Sequence, residues 1–77
     1  MDCKKRIVVD IEKLDESLKK IESIEFTAKE KETIERAKSY KEDSSYYLEK
    51  GDEITSFGCI TYAHGLIDAI IINHNIK

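Results

Sequence analysis

The sequence contains no proline, and this absence permits long helices along the whole chain. Proline breaks a helix interior because it lacks a backbone N–H and its ring clashes with the preceding turn. Only three glycines, Gly51, Gly58 and Gly65, could interrupt a helix instead. Glutamine is also absent, while lysine and glutamate dominate the charged residues, which make up 38% of the chain. This bias is typical of proteins from heat-loving prokaryotes.

Two cysteines are too few and too far apart to form a disulfide framework. Cys3 lies in a terminal segment and Cys59 in an apolar run, a pattern that predicts free thiols and therefore a cytoplasmic protein. A chain of 77 residues without disulfides buries little apolar area. We therefore expect a single domain, residues 1–77, that gains stability by forming a homo-oligomer, most simply a two-fold dimer.

The chain also lacks the sequence features of nucleic-acid-binding, secreted and membrane proteins. Its net charge is −3 and its basic residues alternate with acidic ones, whereas phosphate binding needs a concentrated basic face. A helical bundle acting on RNA beside a nucleotidyltransferase would need the same basic face. We expect no secretory signal, because no long apolar run with a cleavage site follows the basic N-terminal residues. We also expect no membrane span, because no run approaches 18 uncharged apolar residues.

Hydrophobic periodicity and capping residues predict three helices. The first, over residues 3–25, repeats apolar side chains at alternating steps of four and three, as in a coiled-coil seam. Thr27 and Glu30 match a capping box, which predicts a second helix over residues 28–50, ended by Gly51. Asp52 is placed to cap a third helix over residues 53–73. The seam of the first helix consists of Ile7, Ile11, Leu14, Leu18, Ile21 and Ile24.

The third predicted helix carries almost no charge, since Asp68 is the only charged residue between Ile54 and His74. A helix that is apolar nearly all round must be covered nearly all round. We therefore expect an all-α, three-helix antiparallel bundle with the third helix at its centre. Helices two and three form a tight hairpin, and helix one runs antiparallel to helix two. The strip of the third helix left uncovered is the predicted dimer surface.

Small residues recur along one stripe of the third helix. Glycine inside a helix costs about 1 kcal/mol relative to alanine. Interior glycine usually has a packing reason, so we expect another backbone to pack closely against Gly58, Gly65 and Ala69. Contact of this stripe with a ligand is the less favoured alternative.

Polar and aromatic residues of helices two and three supply one candidate site, which we name the polar cluster. His64 and Asp68 are four residues apart and share a helix face. This spacing could orient a catalytic imidazole or supply two metal ligands, but further ligands are not evident, and we expect no metal or other cofactor. A satisfied network of interhelical hydrogen bonds is favoured over a pocket, because buried polar groups are usually paired. The polar cluster consists of Asp43, Tyr47, Tyr62, His64 and Asp68.

Two segments, YKEDSSYYLEKGD at residues 40–52 and YAHGLIDA at residues 62–69, resemble the archaeal family catalogued as domain of unknown function number 357. The resemblance covers roughly half of the chain, residues 40–69. It implies a small, all-helical archaeal domain with no established activity and no catalytic residues to transfer. The matching positions are Tyr40, Asp43, Gly51, Asp52, Tyr62, Ala63, His64, Gly65 and Asp68.

A weaker similarity is to a single tetratricopeptide hairpin. Ser44 and Ser56 stand where that repeat has small residues. Such repeats need about three copies to bury a continuous core, so the similarity indicates close helix packing alone.

The sequence contains no recognised catalytic signature. It has no CxxC pair and no nucleophile elbow, and its glycines are spaced wrongly for a phosphate-binding loop. The favoured hypothesis is therefore a non-catalytic, cytoplasmic protein-interaction or assembly module. The alternative is a small-ligand-binding or enzymatic domain that uses the polar cluster, and it requires those side chains to meet in one open cleft.

Overall fold

The computed structural model describes residues 2–76, and these residues form three α-helices. Helix α1 spans Cys3–Ile21, α2 spans Ala28–Glu49 and α3 spans Glu53–Asn73. No strand occurs within residues 2–76. The predicted all-α class is therefore confirmed.

Each helix begins at a polar residue whose side chain accepts a hydrogen bond from an amide of the first turn. The carboxylates of Asp2 and Asp52 each accept the amide three residues further on, at 2.8 and 3.1 Å. The Thr27 hydroxyl accepts the amide of Glu30 at 3.2 Å, and the Glu30 carboxylate accepts the amide of Thr27 at 2.9 Å. The predicted capping box is thus present, and it fixes the start of α2.

Helix α1 is shorter than predicted, since it ends at Ile21 and not at residue 25. Thr27 has an extended backbone as the cap of α2, so the chain must leave the helical path before it. The segment between α1 and α2, residues 22–27, which we name the link, places Ile24 and Phe26 against the core. Ile24 therefore closes the end of the core from the link and does not continue the helical seam.

The connection between α2 and α3 is a tight reversal at Gly51 and Asp52. Helix α2 ends at Glu49, one residue before its predicted end. Gly51 has a φ of +85°, a conformation in which an L side chain is strained. Its amide donates to the carbonyl of Leu48 at 3.1 Å, and the amide of Asp52 donates to the carbonyl of Tyr47 at 2.9 Å. These bonds satisfy the last carbonyls of α2 before α3 begins.

Helices α2 and α3 pack closely and run antiparallel. Near the turn, Ser44 and Ser56 are both fully buried. The Ser44 hydroxyl donates to the carbonyl of Ser56 at 2.8 Å, and the Ser56 hydroxyl donates to the carbonyl of Ser44 at 2.6 Å. At the other end, His74, which caps the end of α3, contacts Glu30 of α2 at 2.6 Å.

Helix α1 packs on α3 and touches α2 much less. Its contact with α3 includes Asp10 and His64, and the position of Cys3 beside Glu53 shows that α1 and α3 run parallel. An ion pair between Asp15 and Lys41, at 2.5 Å, joins α1 to α2. As predicted, α1 is antiparallel to α2, and α3 is the helix on which both others pack.

The core is small and almost entirely aliphatic. Ala37 and Ala63 are fully buried. Their small side chains allow α2 and α3 to approach each other. Tyr40, Leu48 and Leu66 cover its edges. The buried apolar residues are Ile7, Leu14, Ile21, Ile34, Ala37, Ile60, Ala63, Ile67 and Ile70.

Candidate functional site

The residues of the polar cluster do not meet in one cleft. His64 faces α1, where its Nε2 lies 2.7 Å from the carbonyl oxygen of Asp10. A carbonyl can only accept, so this nitrogen donates. Tyr62 lies on the opposite edge of α3 and packs edge-on against Tyr40 of α2, with ring centroids 4.7 Å apart. The body of α3 therefore separates His64 from Tyr62.

Of the other three members of the polar cluster, Asp43 and Tyr47 lie four residues apart on α2, and Asp68 lies on α3. Asp43 and Asp68 are exposed, and no hydrogen bond or ion pair of residues 2–76 joins either carboxylate to His64. Tyr47 is half-buried and packs edge-on against Tyr46, with centroids 5.2 Å apart. The convergence that a catalytic or ligand-binding cluster requires is absent from this part of the fold.

The two thiols are poorly placed for nucleophilic or metal chemistry. Burial, followed by the nearby Asp43 carboxylate, raises the pKa of the Cys59 thiol. Desolvation and the neighbouring Glu53 carboxylate raise the pKa of Cys3. Because the thiolate is the reactive form, both cysteines are less reactive than free cysteine at neutral pH. Across residues 2–76, no three His, Cys, Asp or Glu side chains are grouped so that they could hold a metal ion.

A contact that the sequence pattern does not predict joins the end of α3 to the start of α2. His74 Nε2 lies 2.6 Å from the Glu30 carboxylate, and the His74 ring packs edge-on against Phe26 with centroids 4.9 Å apart. The backbone hydrogen bond from Thr27, followed by the hydrogen bond with His74, lowers the pKa of Glu30. The capping box gave a sequence signal for Thr27 and Glu30, but nothing in the spacing pointed to His74, which is 44 residues away.

A groove lies between α1 and α2, and residues of these helices and of their link form its walls. Its larger part, about 740 Å³, has an apolar floor that includes Leu18 and Phe26. Its smaller part, about 420 Å³, lies beside Val8 and Leu48. The rim of the larger part carries equal numbers of acidic side chains and lysines. This balance favours no charged ligand, and no member of the polar cluster contributes to either part.

The most distinctive surface is the side of α3 that points away from α1 and α2, which we name the outer face. Ile54 is 87% exposed and Ile72 is 71% exposed, one near each end of this face. Phe57 and Tyr62 are exposed on its two flanks. The outer face is defined by Ile54, Gly58, Thr61, Gly65 and Ile72.

Within one chain, the prediction of close packing at Gly58, Gly65 and Ala69 is wrong. All three residues are exposed. A Cβ atom built at Gly58 or Gly65 would meet no atom within 4 Å. The physical reason is their position on the helix, because the buried residues of α3 occupy the opposite side. The two glycines therefore remain without a packing partner in the single chain.

Helix α3 is also long and apolar enough to cross a membrane, if length and composition alone are considered, and it is the one such helix in residues 2–76. In its most apolar 18-residue window, 28% of the residues are buried. One such helix is weak evidence for a span, because signal sequences and the core helices of soluble proteins, which are mostly buried, also satisfy the criterion.

A family model described as "Protein of unknown function (DUF357)" matches residues 10–76. The match extends from within α1 to the last residue of the described structure and includes both segments that carry the sequence resemblance. A search of curated proteins gives no match.

Proposed function

Because this chain belongs to the DUF357 family of proteins of unknown function, we propose a function from its own surface, that of a non-catalytic helical protein-interaction module. The outer face of α3 is the proposed contact surface. The observation that carries the proposal is the exposure of Ile54 and Ile72 on the most apolar helix of the chain. Burying an isoleucine side chain contributes about 1.5–3 kcal/mol, so a partner that covered both would gain substantial binding energy.

Within residues 2–76 the polar cluster is not assembled into one site, and this supports a non-catalytic function. His64 is held by a backbone carbonyl of α1, and Tyr62 packs against α2 on the other edge of α3. The thiols have raised pKa values. The free cysteines also fit a cytoplasmic location, which is part of the proposal.

The composition of the outer face favours a protein partner over a lipid surface. Gly58 and Gly65 offer little apolar area to lipid, but they allow another helix to approach. Helix α3 contains no lysine or arginine that could pair with anionic head groups, whereas helices that lie on membranes are usually rich in both. Asp68 adds a negative charge at the edge of the face.

Site-specific photo-crosslinking in an extract of the source cells tests the proposed function. A photoreactive phenylalanine derivative placed at Ile54 or Ile72 is expected to give discrete crosslinked protein products. The same group at Glu42, which is exposed on α2, serves as the control and is expected to give none. Crosslinking to lipid alone, or equal protein products from all three positions, would contradict the proposal.

A further inference from the structure

We infer that the outer face binds a second copy of this chain, with the two α3 helices antiparallel. This inference rests on the proposed function of α3 as a contact surface and names the occupant of that surface. It draws on the pattern of exposed residues along α3, the position of Asp68, and the length of the helix.

The outer face has the pattern of a helix-packing seam. Ile54, Gly58, Thr61 and Gly65 follow one another at steps of four, three and four residues, which produces a straight stripe on a helix. Glycine in an exposed helix interior is destabilising relative to alanine, and no atom of the same chain lies close to Gly58 or Gly65. A second backbone packed against the stripe explains why these positions have no side chain.

An antiparallel pairing places large residues at the ends of the contact and small ones at its centre. Ile54 and Ile72 each lie nine residues from Ala63. A two-fold axis at the level of Ala63 therefore sets Ile54 beside Ile72 of the second copy, at both ends of the pair. Thr61 then lies opposite Gly65 of the second copy. The same face serves both copies, as an isologous interface requires.

The charge of Asp68 selects the antiparallel orientation. In a parallel pair, the two Asp68 carboxylates would lie at the same level of the seam and repel each other. In the antiparallel pair, Asp68 lies opposite Gly58 of the second copy, because both residues are five positions from Ala63. The antiparallel pair thereby avoids this repulsion and keeps an isoleucine contact at each end.

The dimensions of α3 set the strength of the pair. A helix of 21 residues is about 32 Å long, with a diameter of roughly 10–12 Å, so its face covers on the order of 350 Å² per copy. Standard interfaces bury about 800 Å² per partner. Phe57 and Tyr62 on the flanks extend the contact but do not make it standard in size. An interface below the standard size is typical of weak, transient association, so the pair should dissociate on dilution to low micromolar concentration.

Sedimentation of the purified full chain tests whether the pair forms. Between low micromolar and millimolar concentration, the wild-type protein is expected to change from monomer to dimer. Replacement of both isoleucines, Ile54→Lys with Ile72→Lys, should abolish the dimer, while the exposed substitution Ser39→Leu on α2 should leave it unchanged. A folded protein that stays monomeric at millimolar concentration would overturn the inference.

The double variant Gly58→Leu with Gly65→Leu distinguishes close helix packing from a general apolar contact. Leucine is a better helix former than glycine, and both sites have open space within the chain, so the monomer should stay folded. If the backbones pack closely, the leucines should weaken the dimer by at least tenfold. A stronger dimer would show that the face is an unspecific apolar patch and would overturn the inference.

Disulfide trapping tests the orientation. In a background with Cys3→Ser and Cys59→Ser, a mixture of Ile54→Cys and Ile72→Cys chains should form mostly the mixed disulfide on oxidation. A product dominated by symmetric disulfides would overturn the antiparallel pairing. If the purified chain is monomeric but positions 54 and 72 still crosslink to a different protein in the extract, the second-copy inference fails and the proposed function stands.

Discussion

At the scale of single residues, the Ser44–Ser56 pair decides how closely the two hairpin helices pack. Each hydroxyl donates to the backbone carbonyl of the other serine, and the two oxygens are 3.0 Å apart. Both side chains are therefore fully buried without an unsatisfied polar atom. Because both side chains are small and bond to each other's backbone, the helix axes lie closer together than two larger apolar side chains would allow.

Substitution at Ser44 should separate the hydrogen-bond contribution from the packing contribution. Ser44→Ala removes one buried bond and should lower the free energy of unfolding by about 1 kcal/mol. Ser44→Leu also overpacks the helix contact and should cost about 1–3 kcal/mol more. Urea unfolding followed by circular dichroism measures both effects.

The exposed neighbour Ser45 is the control, and Ser45→Ala should change stability by less than about 0.5 kcal/mol. Equal stability of the alanine and leucine variants of Ser44 would contradict the packing argument.

The sequence pattern indicates several of these residues but not all of their partners. The small residues at Ser44 and Ser56 indicated close packing, and the structure confirms it. The spacing of His64 and Asp68 correctly placed them on neighbouring positions of one helix. The spacing could not show that His64 bonds to the carbonyl of Asp10, which lies on another helix, 54 residues away. Every residue has a backbone carbonyl, so the residue type at position 10 gives no signal for this acceptor.

At the scale of helices, α2 and α3 are fastened together at both ends. Near Gly51 the serine pair joins them, and at the other end His74 contacts the Glu30 carboxylate. Glu30 also caps α2 through Thr27, so a single carboxylate both starts one helix and secures the end of another.

The lowered pKa of Glu30 makes the stability of the hairpin depend on pH. Because the folded state favours the ionised carboxylate, its stabilisation is fully present above the ordinary pKa of 4.5 and is lost as the pH falls through the lower folded value. The melting temperature should therefore decrease as the pH falls from about 4.5 toward the lower folded pKa of Glu30. Glu30→Gln retains an acceptor for the capping box but removes the charge, so it should melt lower at neutral pH and show a smaller decrease in acid.

The control for this pH effect is Glu32→Gln, an exposed position of the same helix. Its melting curve should follow the wild-type curve across the same pH range. A Glu30→Gln variant with the full wild-type acid dependence would show that the contact with His74 and Thr27 does not contribute to it. The hydrogen bonds with Thr55 lower the pKa of Asp52. Asp52 should therefore contribute equally to the acid dependence of the melting temperature in both variants.

The starts of the helices are determined by residues close together in sequence, whereas the end of α1 is determined by packing. The starts of α2 and α3 were predicted from Thr27, Glu30 and Asp52, because a cap depends on residues three positions apart. The end of α1 was not, because Ile24 continues the apolar period beyond Ile21. Only the packing of the link against the core determines that Ile24 contributes from outside the helix.

At the scale of the whole molecule, the three helices are unequally connected. Helix α3 packs on both others, whereas α1 and α2 touch little and enclose an open groove. The sequence predicted the number and order of the helices and their directions from periodicity and caps. It predicted α3 as the centre because it is nearly uncharged, but it could not show which residues of α3 remain exposed. Those residues depend on the angle at which α1 and α2 pack.

This unequal connection predicts that α1 unfolds before the hairpin. Opening α1 breaks its contacts with α3 and the Asp15–Lys41 ion pair, but it leaves the α2–α3 contact intact. Native-state hydrogen exchange should therefore show lower opening free energies for amides of α1 than for amides near Ile60 and Ile67 of α3. Uniform protection across the three helices would show that the chain opens only as one cooperative unit.

The parallel direction of α1 and α3 also determines how the fold responds to mechanical force. Asp2 lies at the end that contains Gly51, and Ile76 lies at the opposite end, of a body 37 Å long. Tension applied between these residues is directed along the helix axes. Helix α1 must then slide along α3, and their contacts are loaded in shear and break together. The domain should therefore resist a force applied along its length better than a force that peels α1 from α3 starting at one end.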